Sequence, residues 1–399
     1  MSFQQAIAGL NAASRSLDVI GHNIANAGTT AMKSSRVEFA EVYAAAASGS
    51  NSVSGGMGVT VSKVAQQFSQ GNINSTNNAL DLAINGNGFF QLTMPDGARA
   101  FTRAGNFKKD AQGFIVTNNG ANLMGYPTDT AGKRTSSTLQ ALSVPTGTVP
   151  AKQTTTMTAR VTLDAKATVA TAADDLSKYS TSLTAYDAQG LKTEVGLYFQ
   201  KTANNAWNVY SSVNGSDPKN STPFQITFDT AGNLISGGKQ TMVLSSPNDP
   251  NQKFNATLDL TEFKQVNSSF TVNDLQQDGY TAGQLTNLSI DDTGTLMATY
   301  SNNQTQAAGQ VAMVDFRNPQ GLGITDSGYW FETTASGQPL VGAPGEGIFG
   351  SIQSKALEES NVDLTAALVD MMTTQRAYQA NAQTIKTQDQ VLSTLVNLR

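Results

Sequence analysis

Few residues in this chain could do chemistry, and their spacing argues against most uses. Cysteine is absent from the 399 residues and histidine occurs once, as His22. Disulfides, thiolate metal sites and cysteine nucleophiles are therefore excluded, and one imidazole with no acid in sequence reach makes neither a zinc site nor a nucleophilic triad. The segment "GEGIFG" at 345–350 matches the glycine pattern of a dinucleotide-binding turn, and Asp370 lies twenty residues past Gly350. That chemistry needs a strand, the turn, a helix, and an acid ending the following strand. Here Pro344 precedes the first glycine and Asp370 falls inside a helical pattern, so the glycines are read as a tight loop leading into the last helix.

Aspartate and glycine recur at a fixed spacing, as "DAQG" at 110 and 187, "DTAG" at 129 and 229, and "DDTG" at 291. A calcium loop needs several side-chain oxygens converging from alternate positions. Four of these five turns offer one carboxylate and the fifth two adjacent ones. They are read as type I turns closing β-hairpins, with Asp first and Gly fourth. No catalytic, cofactor-binding or metal-ligating residue is assigned, no cofactor is expected, and nothing argues for an enzyme.

The elements around these turns define the architecture. In the first helix Phe3, Ile7, Leu10, Ser14, Leu17, Gly21 and Ile24 recur in alternating steps of four and three, with Ile20 on the neighbouring row of Ala6, Ala13 and Ala27. Such spacing makes a coiled-coil-like seam, with small residues permitting close approach. "NAG" at 26–28 is expected to stop this helix in a left-handed turn. The last helix is expected to begin at a capping box, "SNVD" at 360–363, with Ser360 accepting from the first turn and Asp363 reciprocating. Its seam runs through Leu364, Leu368, Met371, Tyr378, Ala382, Ile385, Leu392 and Val396. Gln375, Arg376, Asn381 and Gln383 form an amide-rich face that could fix the register between helices, as buried polar seam residues do.

Everything between reads as β. "TMTARVTL" (156–163), "VGLYF" (195–199) and "FNATLDL" (254–260) alternate apolar and polar residues. The fold class is therefore α+β, mostly β, with discontinuous nested domains: terminal α-helices forming a coiled-coil-like pair, and two outer β domains. Residues 1–26 and 366–399 form the terminal helical domain, 27–70 and 352–365 a linking region, 71–142 and 283–351 an inner β domain, and 143–282 an inserted outer β domain. The stretch 41–58, low in bulky residues, reads as a flexible connector.

Composition limits the partners. Charged residues make up 14% and the net charge is −5, with no basic patch for nucleic acid. No apolar run approaches the ~18 residues that span a membrane, so no membrane insertion is expected. The start lacks the charged and apolar regions of a cleavable signal peptide, so export, if it occurs, is expected by an uncleaved route.

Specific words then resemble a family. "LDVIGHNIANAGTTAMKSSR" (17–36) is similar to the N-terminal signature of the flagellar rod and hook proteins, with Asn23, Ala25, Asn26, Thr29 and Lys33 on its motif and Ala31-Met32 in place of the usual Gly-Phe. "LDLAINGNGFFQL" (80–92), "FTRAGNFKKDAQGFIVTNNGANLMGY" (101–126) and "LEESNVDLTAALVDMMTTQRAYQANAQTIKTQDQVL" (357–392) resemble further family blocks. The long insert and "GQVAMVDFRNPQGLGI" (309–324) resemble the hook-type members. The resemblance implies an extracellular structural subunit that self-assembles into a curved tube carrying torque from rod to filament, a universal joint. It implies as partners copies of itself, the distal rod, the hook cap, the hook–filament junction proteins and the flagellar export apparatus. The alternatives are a distal rod-type axial protein, which would form a straight tube, and a secreted β-domain adhesin. Helices of this kind are marginal in water without packing, so both termini are expected to order only on assembly.

Overall fold

The computed structural model describes residues 3–43, 56–170, 176, 178–325 and 328–397, and most of the connector expected at 41–58 lies outside them. The chain forms two compact units: Met1–Thr146 with Asn287–Ala298 and Thr305–Arg399, and Gly147–Thr286 with Thr299–Gln304. The sequence reading drew the insert at 143–282. The short return segment joins the second unit because Ser301 N–H donates to Gln284 O and the Asn302 amide to Thr281 O.

The second unit packs two five-stranded sheets around one core. One sheet orders Lys239–Ser245, Lys253–Asp259, Thr156–Asp164 and Lys264–Val266, with Thr271–Gln277 also on Thr156–Asp164. The other is an antiparallel meander of Ser180–Tyr186, Lys192–Ala203, Ala206–Val213, Phe224–Phe228 and Leu234–Ser236. The period-2 patterns account for this directly. Met157, Ala159, Val161 and Leu163 are buried from one sheet, and Val195, Leu197 and Phe199 from the other. Polar groups that enter the core are paired: Trp207 Nε1 donates to Gln265 Oε1 at 2.8 Å, and Lys201 Nζ to Ala165 O at 2.6 Å.

The first unit has short strands around an aromatic cluster of Phe89, Phe101, Phe316 and Trp330, with Phe68 packed against it. Phe101 and Phe316 meet edge to face at 4.9 Å, a geometry that aromatic quadrupoles favour. The sheet beneath runs Gly323–Ile324, Trp330–Phe331, Arg99–Thr102, Phe89–Thr93, Asn122–Tyr126. The chain then returns along Ser351–Ser354, paired with Leu82–Asn85, and Ala356–Glu358, paired with Ile73–Ser75. The "GEGIFG" glycines therefore turn into these strands, and do not lead straight into the last helix. Gly350 must be glycine there, because a Cβ would lie 2.3 Å from Asn85 O.

Two helices, α1 (Phe3–Ala25) and α2 (Leu364–Asn397), and a hairpin of β1 (Ser35–Tyr43) and β2 (Gly56–Gln66) complete the first unit. Two details correct the sequence reading. Asp363, not Ser360, caps α2: its Oδ1 accepts from Thr365 N–H at 2.8 Å and Ala366 N–H at 3.1 Å. Ser360 accepts only from Val362, ahead of the helix. The left-handed residue after α1 is Ala31 (φ 54), not Gly28. Ala31 stands where the resembling family carries glycine, the residue that adopts this conformation without a Cβ penalty.

The five Asp-to-Gly turns have their carboxylates engaged by the turns themselves. Asp110 Oδ1 accepts from Gln112 and Phe114 N–H, Asp129 Oδ1 from Ala131 and Lys133, and Asp187 Oδ1 from Gln189 and Leu191. Asp229 and Asp291 accept likewise from Asn233 and Thr295. All five glycines have positive φ. This is local turn chemistry.

The bonds make the second unit acid-sensitive. Burial opposes ionisation of Asp187, but Ser246 and the Leu191, Gln189 and Gly190 amides outweigh it and lower its pKa. Asp278 is lowered in the same way, against its burial, by Thr156, Thr155 and Lys152. Hydrogen bonds from Asn233 lower Asp229, and those from Thr261 lower Asp259. Each folded pKa lies below the ~3.9 of an unfolded aspartate. Folded chains thus bind fewer protons in that window, and the stabilisation is present above about pH 4 and lost as pH falls through the depressed values. Thermal unfolding followed by the emission of Trp207 in a Trp330→Phe background should show a steady midpoint from neutral pH to about pH 4, then a falling one. A midpoint unchanged well below pH 4 would refute this.

Candidate assembly surface

The helices run antiparallel. Gly9 lies against Asn381, while Ala12, Ala13 and Ser16 share a groove with Thr373, Thr374 and Ala377, and Asn23 another with Ala367 and Asp370. The contact is built from small side chains. Ala6, Ala12 and Ala13 are buried on α1, and a Cβ on Gly9 would sit 2.9 Å from Asn381 Nδ2. Small residues let backbones approach but bury little apolar area, so this pairing alone supplies little driving force.

The large apolar side chains are elsewhere. Of the N-terminal seam, Phe3 and Ile7 are exposed and Leu10, Leu17, Ile20 and Ile24 half-buried. Of the C-terminal seam, Leu364, Leu368, Tyr378 and Leu392 are exposed, and Met371, Ala382 and Ile385 half-buried; the Val396 side chain lies outside the described residues. Val369, Met372 and Val391 are exposed as well, with Leu368 at 50%, Met372 at 53% and Leu392 at 54%. Among the amide-rich residues Asn381 meets α1, whereas Gln375, Arg376 and Gln383 face solvent. No described helix is long and apolar enough to cross a membrane.

The motif residues lie where the terminal arms join the β body. Asn23 exchanges two hydrogen bonds with Ser35, Nδ2 to O at 2.8 Å and N–H to Oδ1 at 2.9 Å, which ties α1 to the start of β1. Asn26 donates to His22 O, and Thr29 to Asn26 Oδ1; Ala25 is exposed. Lys33 is fully buried, its Nζ 2.6 Å from Glu358 Oε1 and 2.8 Å from Ser69 O. Glu358 Oε1 also accepts from Gly71 N–H, and Oε2 lies 3.3 Å from Arg103 Nη1. Arg103 donates further to Gly86 O and Ile84 O, and its guanidinium stands 5.6 Å from the Phe89 ring centre. Burial lowers the pKa of Lys33, against the pull of Glu358, and burial likewise lowers that of Arg103.

Asn361 sits beside this triad. Its amide donates to Gln67 O and to Ser69, and its Oδ1 accepts from Ser34 N–H at 2.7 Å. Sequence reasoning singled out Lys33 but missed Glu358, Arg103 and Asn361. They fall within the quoted "LEESNVDL" and "FTRAGNF" stretches, yet Glu358 is 325 residues from Lys33, and no periodicity links such positions.

Comparison with known proteins gives three matches along the chain. Residues 83–171 match the flagellar hook protein FlgE/F/G D1 domain, 156–280 the flagellar basal body protein FlaE D2 domain, and 353–398 the flagellar basal body rod FlgEFG protein C-terminal region. The chain is 38% identical to the flagellar hook protein FlgE of Escherichia coli over 417 residues, covering 100% of both. It is 32% identical to that of Borreliella burgdorferi, covering 100% of this chain and 99% of the other. The crystal structure of Helicobacter pylori flagellar hook protein FlgE2 superposes with a TM-score of 0.54 at 17% identity, over 71% of this chain and 100% of that one. With terminal helices flanking a mostly β body and full-length identity of this order, the chain belongs to the flagellar hook protein family.

Proposed function

We propose that this chain is a structural subunit of the bacterial flagellar hook, whose copies assemble through their terminal helices into a curved tube that carries torque from rod to filament. One observation carries the reading: small residues make the contact between α1 and α2, while large apolar side chains along α2 stay exposed. Fully burying a Leu, Val or Met side chain is worth about 1.5–3 kcal/mol, so covering several half-exposed ones contributes several kcal/mol per subunit. A head-to-tail contact that does not close yields a helical tube. The polar surface, with its low charge, allows neighbouring contacts to rearrange through water at little cost.

The same reading places the subunit outside the cell, contacting the distal rod, the cap, the hook–filament junction proteins and the export apparatus. It assigns the seam residues of both helices to contacts between copies, and Gln375, Arg376 and Gln383 to hydrogen bonds that fix register there. Arg376→Ala should lower polymer yield severalfold without shifting the thermal transitions of the β units. Wild-type yield would retire that role.

Negative-stain microscopy of concentrated protein tests the function. Curved tubes from the full chain, and none from a version lacking 1–26 and 366–399, are expected. Straight tubes would indicate a rod-type subunit instead, and tubes from the truncated version would remove the helices from the account.

A further inference from the structure

The linking strands hold a charged cluster that stability alone does not explain. Lys33, Glu358 and Arg103 have side chains 0 to 5% exposed, and a buried ion cluster is commonly no more stable than apolar residues of similar volume. What it offers instead is direction. Each carboxylate oxygen and each cation here has a fixed partner: Glu358 accepts from Lys33, Gly71 and Arg103, and Arg103 also reaches Gly86. Three separate stretches therefore meet at one carboxylate. Lys33 follows α1, Glu358 precedes α2 by a few residues, and Arg103 belongs to the β body.

Backbone bonds reinforce the junction. Ala31 N–H donates to Glu358 O at 2.8 Å and Asn361 N–H to Met32 O at 3.3 Å, so the two arms run side by side as they leave the body. We propose that Lys33, Glu358, Arg103 and Asn361 are positioning residues for self-assembly: a clasp that fixes the direction in which both terminal helices leave the β body. This rests on the reading that the helices are the assembly device. An apolar replacement would fill the same space without specifying which stretch meets which. The clasp thereby separates two properties, the stability of the body and the aim of its arms.

The absence of native cysteine makes a spectroscopic test straightforward. Spin labels at Asn119→Cys, on an exposed turn of the body, and Asn11→Cys, at an exposed position of α1 outside the seam, report the aim of the arm in polymers diluted with unlabelled chain. The test variant is Lys33→Met/Arg103→Met/Glu358→Leu. With the clasp intact one narrow distance distribution is expected. The variant should keep the thermal transition of the β body yet give either no polymer or polymer with a broadened or shifted distribution. A folded variant whose polymer has the wild-type distribution overturns the proposal. Should the triple variant fail to fold, Asn361→Ala carries the same readout, because that side chain bridges the same stretches from the rim. If the intact chain forms no polymer, it is the assembly reading that fails. The clasp is then judged in the monomer from amide exchange at Ala31 and Asn361: slow in the intact chain and fast in the variant supports it, and equal rates overturn it.

Discussion

Glu358→Ala should destabilise the first unit by about 3–5 kcal/mol, the cost of leaving buried cations without their counter-charge. Lys33 and Arg103 would remain in place, the first with no exposed side-chain surface and the second with 5%. Neither can turn out to water without displacing the chain packed around it, and the Gly71 amide would lose its acceptor as well. Two effects add in the same direction, an unsatisfied donor and an uncompensated charge. Glu358→Gln separates them, because the amide keeps volume and one acceptor while discarding the charge, and it should lose less. Urea unfolding followed by Trp330 emission in a Trp207→Phe background reads the first unit, since Trp207 lies in the core of the second and would otherwise add its own signal. A loss for Glu358→Ala within the ±0.5 kcal/mol typical of surface changes would show that the cluster has water access and is not a buried clasp.

Gly105→Ala should cost at least about 3 kcal/mol, the upper end of the range for overpacking, and could prevent folding of the first unit altogether. A Cβ on Gly105 would lie 1.7 Å from Leu82 O and 2.7 Å from Leu82 C. Both obstacles are backbone atoms, so no rotamer change relieves the clash. The crossing is also bonded in place, because Leu82 N–H donates to Gly105 O at 3.0 Å and Phe107 N–H to the same oxygen. Separating the chains would pull Leu82, Ala83 and Ile84, all buried, away from their contacts. Gly28→Ala is the control, since nothing lies within 4 Å of its Cβ position and its φ is ordinary. A Gly105→Ala protein that unfolds at the wild-type urea midpoint would contradict the close approach.

Both sites show where sequence reasoning stops. The sandwich of the second unit was legible because its information is local: apolar residues two apart become one buried face, as with Met157, Ala159, Val161 and Leu163. The Asp-to-Gly turns were legible for the same reason, each carboxylate bonding amides two or four residues on. The terminal helices announced themselves by period, but period alone could not say which stripe meets the other helix of the same chain. Residue size decided that, and Ala6, Ala12 and Ala13 are buried where Phe3 and Ile7 are not. The cap of α2 moved from Ser360 to Asp363 because strand Ala356–Glu358 and the Asn361 bridge hold the chain extended up to that point. Nothing in spacing foretells Lys33 meeting Glu358, or Gly105 crossing Leu82. Such contacts belong to the tertiary fold, and here they lie at the junction that carries the helices.

The central claim is that the exposed apolar side chains of α2 are covered by other copies of the chain. Amide hydrogen exchange along Leu364–Asn397, compared between monomer and polymer, tests it most directly. The account predicts rapid exchange in the monomer, where small-residue contacts hold the helix weakly, and strong protection in the polymer at Leu368, Met372 and Leu392. Equal protection in both states would mean that the helix pair is a finished element of the single chain, and that assembly is made elsewhere.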